Sequence, residues 1–254
     1  MEAVLILLLI VFSLSMGSFL NVVIHRLPRG ESLISPGSHC PECSHRIRFY
    51  ENIPLLSFVV QNGKCRHCGA SISWRYPIVE GLTALILMSL LAVFGWSREL
   101  LVYGVLMSFL IPISFIDLET GFIPDKLTLP AAILGIIFLF AFQIVTWKNA
   151  LTGAVSGGIF LLILMVLGKA VFKKDAMGMG DVKLLVMIGI YVGFPAVLYS
   201  LFLGSLAAFI VILAGLLLKK QSLKSTIPFG PFIAIGCLSY ILGGKLLIDW
   251  YLGL

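Results

Sequence analysis

The chain has 254 residues, of which 59% are hydrophobic and 12% charged, and its mean hydropathy is +1.08. An ordinary soluble domain rarely exceeds about half apolar content, so bulk composition excludes that class and points to a polytopic membrane protein. The formal charge of +6 does not imply nucleic acid, because basic residues in a membrane chain set topology and no strongly basic, aromatic-interleaved surface stands out beyond one loop.

A helix needs about 20 apolar residues to cross the hydrocarbon core. The sequence predicts eight spans, near 2–24, 78–96, 100–116, 128–147, 151–171, 182–199, 201–218 and 229–248, with seven as the alternative. The expected fold class is therefore an all-α polytopic membrane protein with about eight transmembrane helices and one small loop domain. The first run carries Glu2 and no Lys or Arg before it, and it is longer than the roughly 7–15 residues of a signal-peptide core, so it reads as a retained helix. Gly153-x-x-x-Gly157 and Gly189-x-x-x-Gly193 are small-residue spacings that let helices approach closely.

Placing the N-terminus outside puts fifteen of the eighteen Lys and Arg residues in inside loops and leaves only Arg98, Lys148 and Lys245 outside. The positive-inside rule favours that arrangement. It makes residues 25–77 a cytoplasmic segment, which holds four of the five cysteines and all four histidines.

Within that segment, Cys40-Pro-Glu-Cys43 and Cys65-Arg-His-Cys68 are two C-x-x-C turns separated by 21 residues. Two such turns complete a tetrahedral four-sulfur site, the signature of structural zinc, and Gly69 suits the tight backbone after the second turn. Disulfides compete with this reading but suit a reducing cytosol poorly, and redox chemistry asks for a single exposed pair at a helix N-terminus. His39, His45 and His67 read as surface or outer groups beside four thiolates. Cys237, alone in a span, reads as packing.

The chain has twelve carboxylates, and any near membrane depth is costly enough to be a functional candidate. Asp117 ends the run "LIPISFI", and Asp181 follows "AMGMG"; the Lys and Arg topology places both at the cytoplasmic membrane edge. The helix dipole disfavours negative charge at the first position and favours it at the second. Two close carboxylates in unlike fields share one proton: the ionised member activates water while the protonated one polarises a carbonyl and serves the leaving amine. Plain capping is the alternative role for Asp181, and an interfacial turn the alternative for Asp117. Asp125, after Pro124, is the second choice for the first carboxylate, and Glu119 the third.

Three blocks carry a resemblance: the stretch from "GSFLNVVIHRLPRGESLISPGSHCPECSHRIRFYENIPLLSF" through "CRHCGASISWRYPIVEGLT", then "FIDLETGFIPDKLTLP", then "GMGDVKLL". In this order they resemble the type IV prepilin peptidase family of bacteria over nearly the whole chain. The resemblance implies cleavage of prepilin or pseudopilin leaders after a glycine, at the cytoplasmic face of the inner membrane. It also implies N-methylation of the new N-terminus from S-adenosyl-L-methionine. It makes Asp117 and Asp181 the catalytic dyad, with Gly178 and Gly180 in the peptidase motif, and gives the cysteine loop to the methyltransferase half.

The implied domains are 1–24, the first transmembrane helix; 25–77, the zinc domain with Cys40, Cys43, Cys65 and Cys68; and 78–254, the transmembrane aspartic peptidase. Gly178 and Gly180 are expected to let the backbone unwind beside an extended substrate. For methyl transfer the candidates are Asn21, Glu51, Asn52 and Glu80, each with a cap or interfacial hydrogen bond as its alternative role. No Rossmann-type glycine fingerprint is present. The expected partners are a prepilin or pseudopilin and membrane lipid, not nucleic acid. A peptidase without methyltransferase activity is the competing reading, and a transporter or scaffold the one from another class.

Overall fold

The computed structural model describes residues 1–172, 178–218 and 227–244. Lys173, Lys174, Asp175, Lys219, Lys220, Lys224, Lys245, Asp249 and the end of the span expected at 229–248 lie outside the described residues. Among the described residues the protein is helical, with only two isolated β-bridges, His39 with Arg46 and Lys64 with Ser71. The chain divides into two compact units, Met1–Ala92 and Val93–Leu254.

In the first unit, α1 (Glu2–Arg26) and α3 (Arg75–Phe94) are long apolar helices. They cross with backbones in contact: a Cβ on Gly17 would lie 2.7 Å from Cα of Glu80. Between them run the short α2 (Leu56–Val60) and two 3₁₀ turns. This connecting segment has almost no core. From residue 27 to residue 78, Cys40 is the one buried residue. So little buried apolar surface cannot offset the entropy of ordering fifty-odd residues, and something else must staple the segment.

The second unit contains α4 (Arg98–Thr120), α5 (Asp125–Phe142), α6 (Trp147–Phe172), α7 (Met179–Val192), α8 (Phe194–Leu217) and α9 (Gly230–Ser239), the last continuing as a π turn over Tyr240–Gly244. α7 is the core of this unit and packs against α4, α5, α6, α8 and α9. Its sequence is apolar nearly all round, as a helix surrounded by others must be. The glycine spacings work as expected: a Cβ on Gly189 would meet the backbone of Gly153 at 2.5 Å, and one on Gly157 would meet Val197 at 2.9 Å.

Among the described residues six helices are long and apolar enough to span a membrane, and the chain is a multi-pass membrane protein. The expected eight differ from these in a definite way. The predicted spans 182–199 and 201–218 are divided at Gly193 rather than near residue 200, because Gly193 adopts φ +80 and Pro195 follows in the first turn of α8. The 14 residues of α7 rise about 21 Å, short of the ~30 Å hydrocarbon core. Hydropathy alone cannot separate such a buried apolar helix from a span.

Candidate active site and metal centre

Asp117 sits in the last turn of α4, where Gly121 closes the helix in the left-handed conformation and donates its N–H to the Asp117 carbonyl at 2.8 Å. The residue is 4% exposed. One oxygen, Oδ2, accepts a 2.9 Å hydrogen bond from the backbone N–H of Gly230, at the start of α9. Asp181 lies in the first turn of α7 and is 9% exposed. The Gly178 backbone N–H donates towards its carboxylate, and the charge of Asp117 is near enough to act on it. Neither aspartate has a basic partner among the described residues.

Two glycines let the backbone pack closely around these carboxylates. A Cβ on Gly230 would lie 2.8 Å from Asp117 Oδ2, and one on Gly180 would lie 2.8 Å from Cβ of Ile123. Ile123 joins the two halves, because its Cδ1 would also be 3.4 Å from that same Gly230 Cβ. Gly178 is extended, with φ −85 and ψ 150, and forms the N-cap of α7. Gly180 is helical, so its service here is close packing on Ile123 rather than the unwinding expected from sequence. Gly230 and Ile123 went unnoticed in the sequence, since nothing local marks a residue whose role is set by a helix 113 positions away.

The other two acidic candidates are turned elsewhere. Glu119 is exposed, two residues and hence about 200° around α4 from buried Asp117, so it does not line the same cleft. Asp125 begins α5, and both its oxygens are held by Lys183 Nζ, at 2.7 and 2.8 Å. Cys237 is fully buried in α9, in agreement with a packing role.

The four cysteines of the first unit form one cluster, with all four sulfurs within 4.8 Å of one another. Cys40 Sγ and Cys68 Sγ are 3.8 Å apart, and sulfurs bound tetrahedrally at about 2.3 Å from one ion would stand about 3.8 Å apart. The two knuckles repeat one design. Ser44 N–H bonds Cys40 O, and Gly69 N–H bonds Cys65 O; Cys40 N–H bonds His45 O, and Cys65 N–H bonds Ala70 O. Ser44 (φ 56) and Gly69 (φ 75) take the same left-handed conformation. The backbone N–H groups of Cys68 and then His67 bring the Cys65 thiol down to about 7. His45 and His67 stack on each other, 4.6 Å between ring centroids, outside the four-sulfur set. His39 Nδ1 bonds the Gly37 carbonyl. The donor set and its spacing fit a metal ion.

The methyl-transfer candidates separate into two groups. Asn21 and Glu80 are both buried on the seam between α1 and α3. Asn21 Nδ2 donates to the carbonyls of Gly17 and Tyr76, at 3.3 and 3.1 Å, and leaves its Oδ1 buried without a partner. Glu80, one turn along α3 from Tyr76, accepts 2.8 Å from the N–H of Leu55 and a bond from Ser18. Leu55 is held at φ +60, a strained conformation for a branched side chain. Glu51 instead spends Oε2 on the Arg48 N–H as a local cap, at 3.0 Å, and Asn52 is exposed.

Comparison with known proteins now adds to this geometry. Residues 11–94 match the bacterial peptidase A24 N-terminal domain, and residues 104–213 match the type IV leader peptidase family. The chain is 38% identical to the "Prepilin leader peptidase/N-methyltransferase" of Aeromonas salmonicida, over 96% of its own length and 93% of that protein's. This chain belongs to the type IV leader peptidase family. A protein of the same name from Myxococcus xanthus is 41% identical over 80% of the chain, which spans 61% of that relative's length. One from Pseudomonas aeruginosa is 36% identical over 96% and 92%. No solved structure matches the chain significantly. The resemblance read from the three sequence blocks is the family found here, and the names of these relatives join the two expected activities.

Proposed function

We propose that this chain cleaves the leader of type IV prepilins or pseudopilins after a glycine, at the cytoplasmic face of the bacterial inner membrane, and then N-methylates the new N-terminal residue. The observation that carries the peptidase half is the pair of buried carboxylates, Asp117 and Asp181, on two different helices of one unit with no basic partner among the described residues. Two such groups cannot both ionise cheaply, so they share a proton. The ionised carboxylate takes a proton from water as it attacks the scissile carbonyl. The protonated one donates to the carbonyl oxygen; as the tetrahedral intermediate collapses it recovers that proton, while the first carboxylate passes the water-derived proton to the departing amine. The Gly230 N–H fixes Asp117 through one oxygen, leaving the other for substrate or the lytic water. A prepilin's basic leader would stay in the cytosol and its apolar helix in lipid, which brings the cleaved bond to the membrane edge.

For the second activity, S-adenosyl-L-methionine supplies an electrophilic methyl group. Glu80 and Asn21 fit the reception of the amine, because each holds a buried oxygen acceptor, and no cation answers Glu80 among the described residues. Glu80 would orient the N-terminal ammonium and take its proton; Asn21 Oδ1 would accept a second N–H. Cys40, Cys43, Cys65 and Cys68 would hold a structural zinc that folds the segment around Leu55, the residue whose N–H reaches Glu80.

The test is incubation of the purified protein, in lipid nanodiscs, with a prepilin and S-adenosylmethionine carrying a labelled methyl group. The expected product is shortened by its leader and labelled at its new N-terminus. Efficient cleavage without label would leave a peptidase alone, and no cleavage would reject the proposal.

A further inference from the structure

The ion pair between Asp125 and Lys183 is not used by the chemistry above, and its location is informative. Lys183 is two residues beyond Asp181 on α7, so its side chain leaves the helix about 200° around the axis from the aspartate. It reaches both oxygens of Asp125, at 2.7 and 2.8 Å. Asp125 is the first residue of α5, two positions after Ile123, against which Gly180 is pressed. The same short connection begins at Gly121, the cap of the helix that carries Asp117. Residues 121–125 therefore grip α7 at two points, Gly180 and Lys183, which stand about 60° apart on one face of the helix.

We propose that Asp125 and Lys183 are positioning residues: their ion pair fixes the rotation of α7 about its own axis and so holds the Asp181 carboxylate towards Asp117. This rests on the peptidase reading of the dyad. The pair is not there for stability, because its side chains are 40% and 50% exposed, and exposed pairs contribute little to folding. Geometry is another matter. α7 is short, and a few degrees of rotation move a carboxylate in its first turn by a distance that matters for proton transfer. The ion pair also gives Asp125, the second candidate for the first catalytic carboxylate, a role that needs no contact with substrate.

The test is a double-mutant cycle with charge reversal, with cleavage of a prepilin measured in nanodiscs. Lys183→Ala and Asp125→Ala should each lower kcat about 10- to 100-fold with KM nearly unchanged. The double variant should be no worse than either single one. Asp125→Lys combined with Lys183→Asp should recover most of the rate, as should Lys183→Arg alone, and helix content by circular dichroism should be the same in all. Losses that multiply in the double variant, reversal without recovery, or a change confined to KM would each overturn the clamp while leaving the peptidase reading standing. A wild-type protein that does not cleave would overturn both.

Discussion

The backbone N–H of Gly230 donates a 2.9 Å hydrogen bond to Oδ2 of Asp117, joining the last turn of α4 to the first turn of α9. This contact has no tolerance for a side chain, since an added Cβ would stand 2.8 Å from the same oxygen. Gly230→Ala should therefore push the carboxylate aside and break its one backbone hydrogen bond. The expected loss is about 100-fold in kcat for leader cleavage, the usual scale for misplacing a catalytic group. Steady-state cleavage of a prepilin checks it, and activity within a few-fold of wild type would contradict it.

Gly180 meets the same constraint from the other side. Gly180→Ala forces a methyl group against Cβ of Ile123, an overpacking worth about 1–3 kcal/mol, and it shifts the start of α7. Cleavage should fall about tenfold or more. Removing the obstacle with Ile123→Gly should restore part of it. A Gly180→Ala enzyme that Ile123→Gly does not improve would place the role of this glycine elsewhere.

Much of this site was legible in the sequence, for physical reasons that differ from residue to residue. Asp117 and Asp181 stood out because a carboxylate at membrane depth is expensive, and the Lys and Arg distribution put both at one face. The cysteines stood out because two C-x-x-C turns have few uses. Their shared knuckle geometry, with Ser44 and Gly69 both left-handed, gives structural content to that spacing. Gly230 and Ile123 left no trace, because close approach between helices distant in sequence has no local signature. Glu119 and Asp117 were indistinguishable by composition and separate only on the helical wheel of a helix that continues to Thr120. The break at Gly193 was misplaced because apolar content is continuous across it.

The four-cysteine cluster makes a separate prediction. Cys65→Ser should remove most of the bound zinc measured by mass spectrometry of the purified protein. With only Cys40 buried between residues 27 and 78, the segment should then become sensitive to protease. Methylation should fall further than cleavage, since the segment carries Leu55 to Glu80. Full zinc content in this variant would contradict a four-thiolate site.

Glu80 offers the sharpest test of the methyl-transfer proposal. Glu80→Gln keeps the shape and can still accept from the Leu55 N–H, which now reaches it at 2.8 Å, but it no longer carries a charge for an ammonium. Methylation should fall about 100-fold or more, with leader cleavage within a few-fold of wild type. Transfer of labelled methyl to a pre-cleaved pilin reads this directly. Unchanged transfer would remove Glu80 from the reaction and leave it a structural cap for the strained Leu55.

The central claim is that one pair of aspartates performs the cleavage. The most direct measurement is the intact mass of pilin recovered from cells that carry the wild-type protein, Asp117→Asn or Asp181→Asn as their sole leader peptidase. Wild type should give pilin without its leader and heavier by one methyl group. Either variant should give full-length prepilin with no methyl group, because the amine to be methylated is never exposed. Mature pilin from either variant would contradict the account.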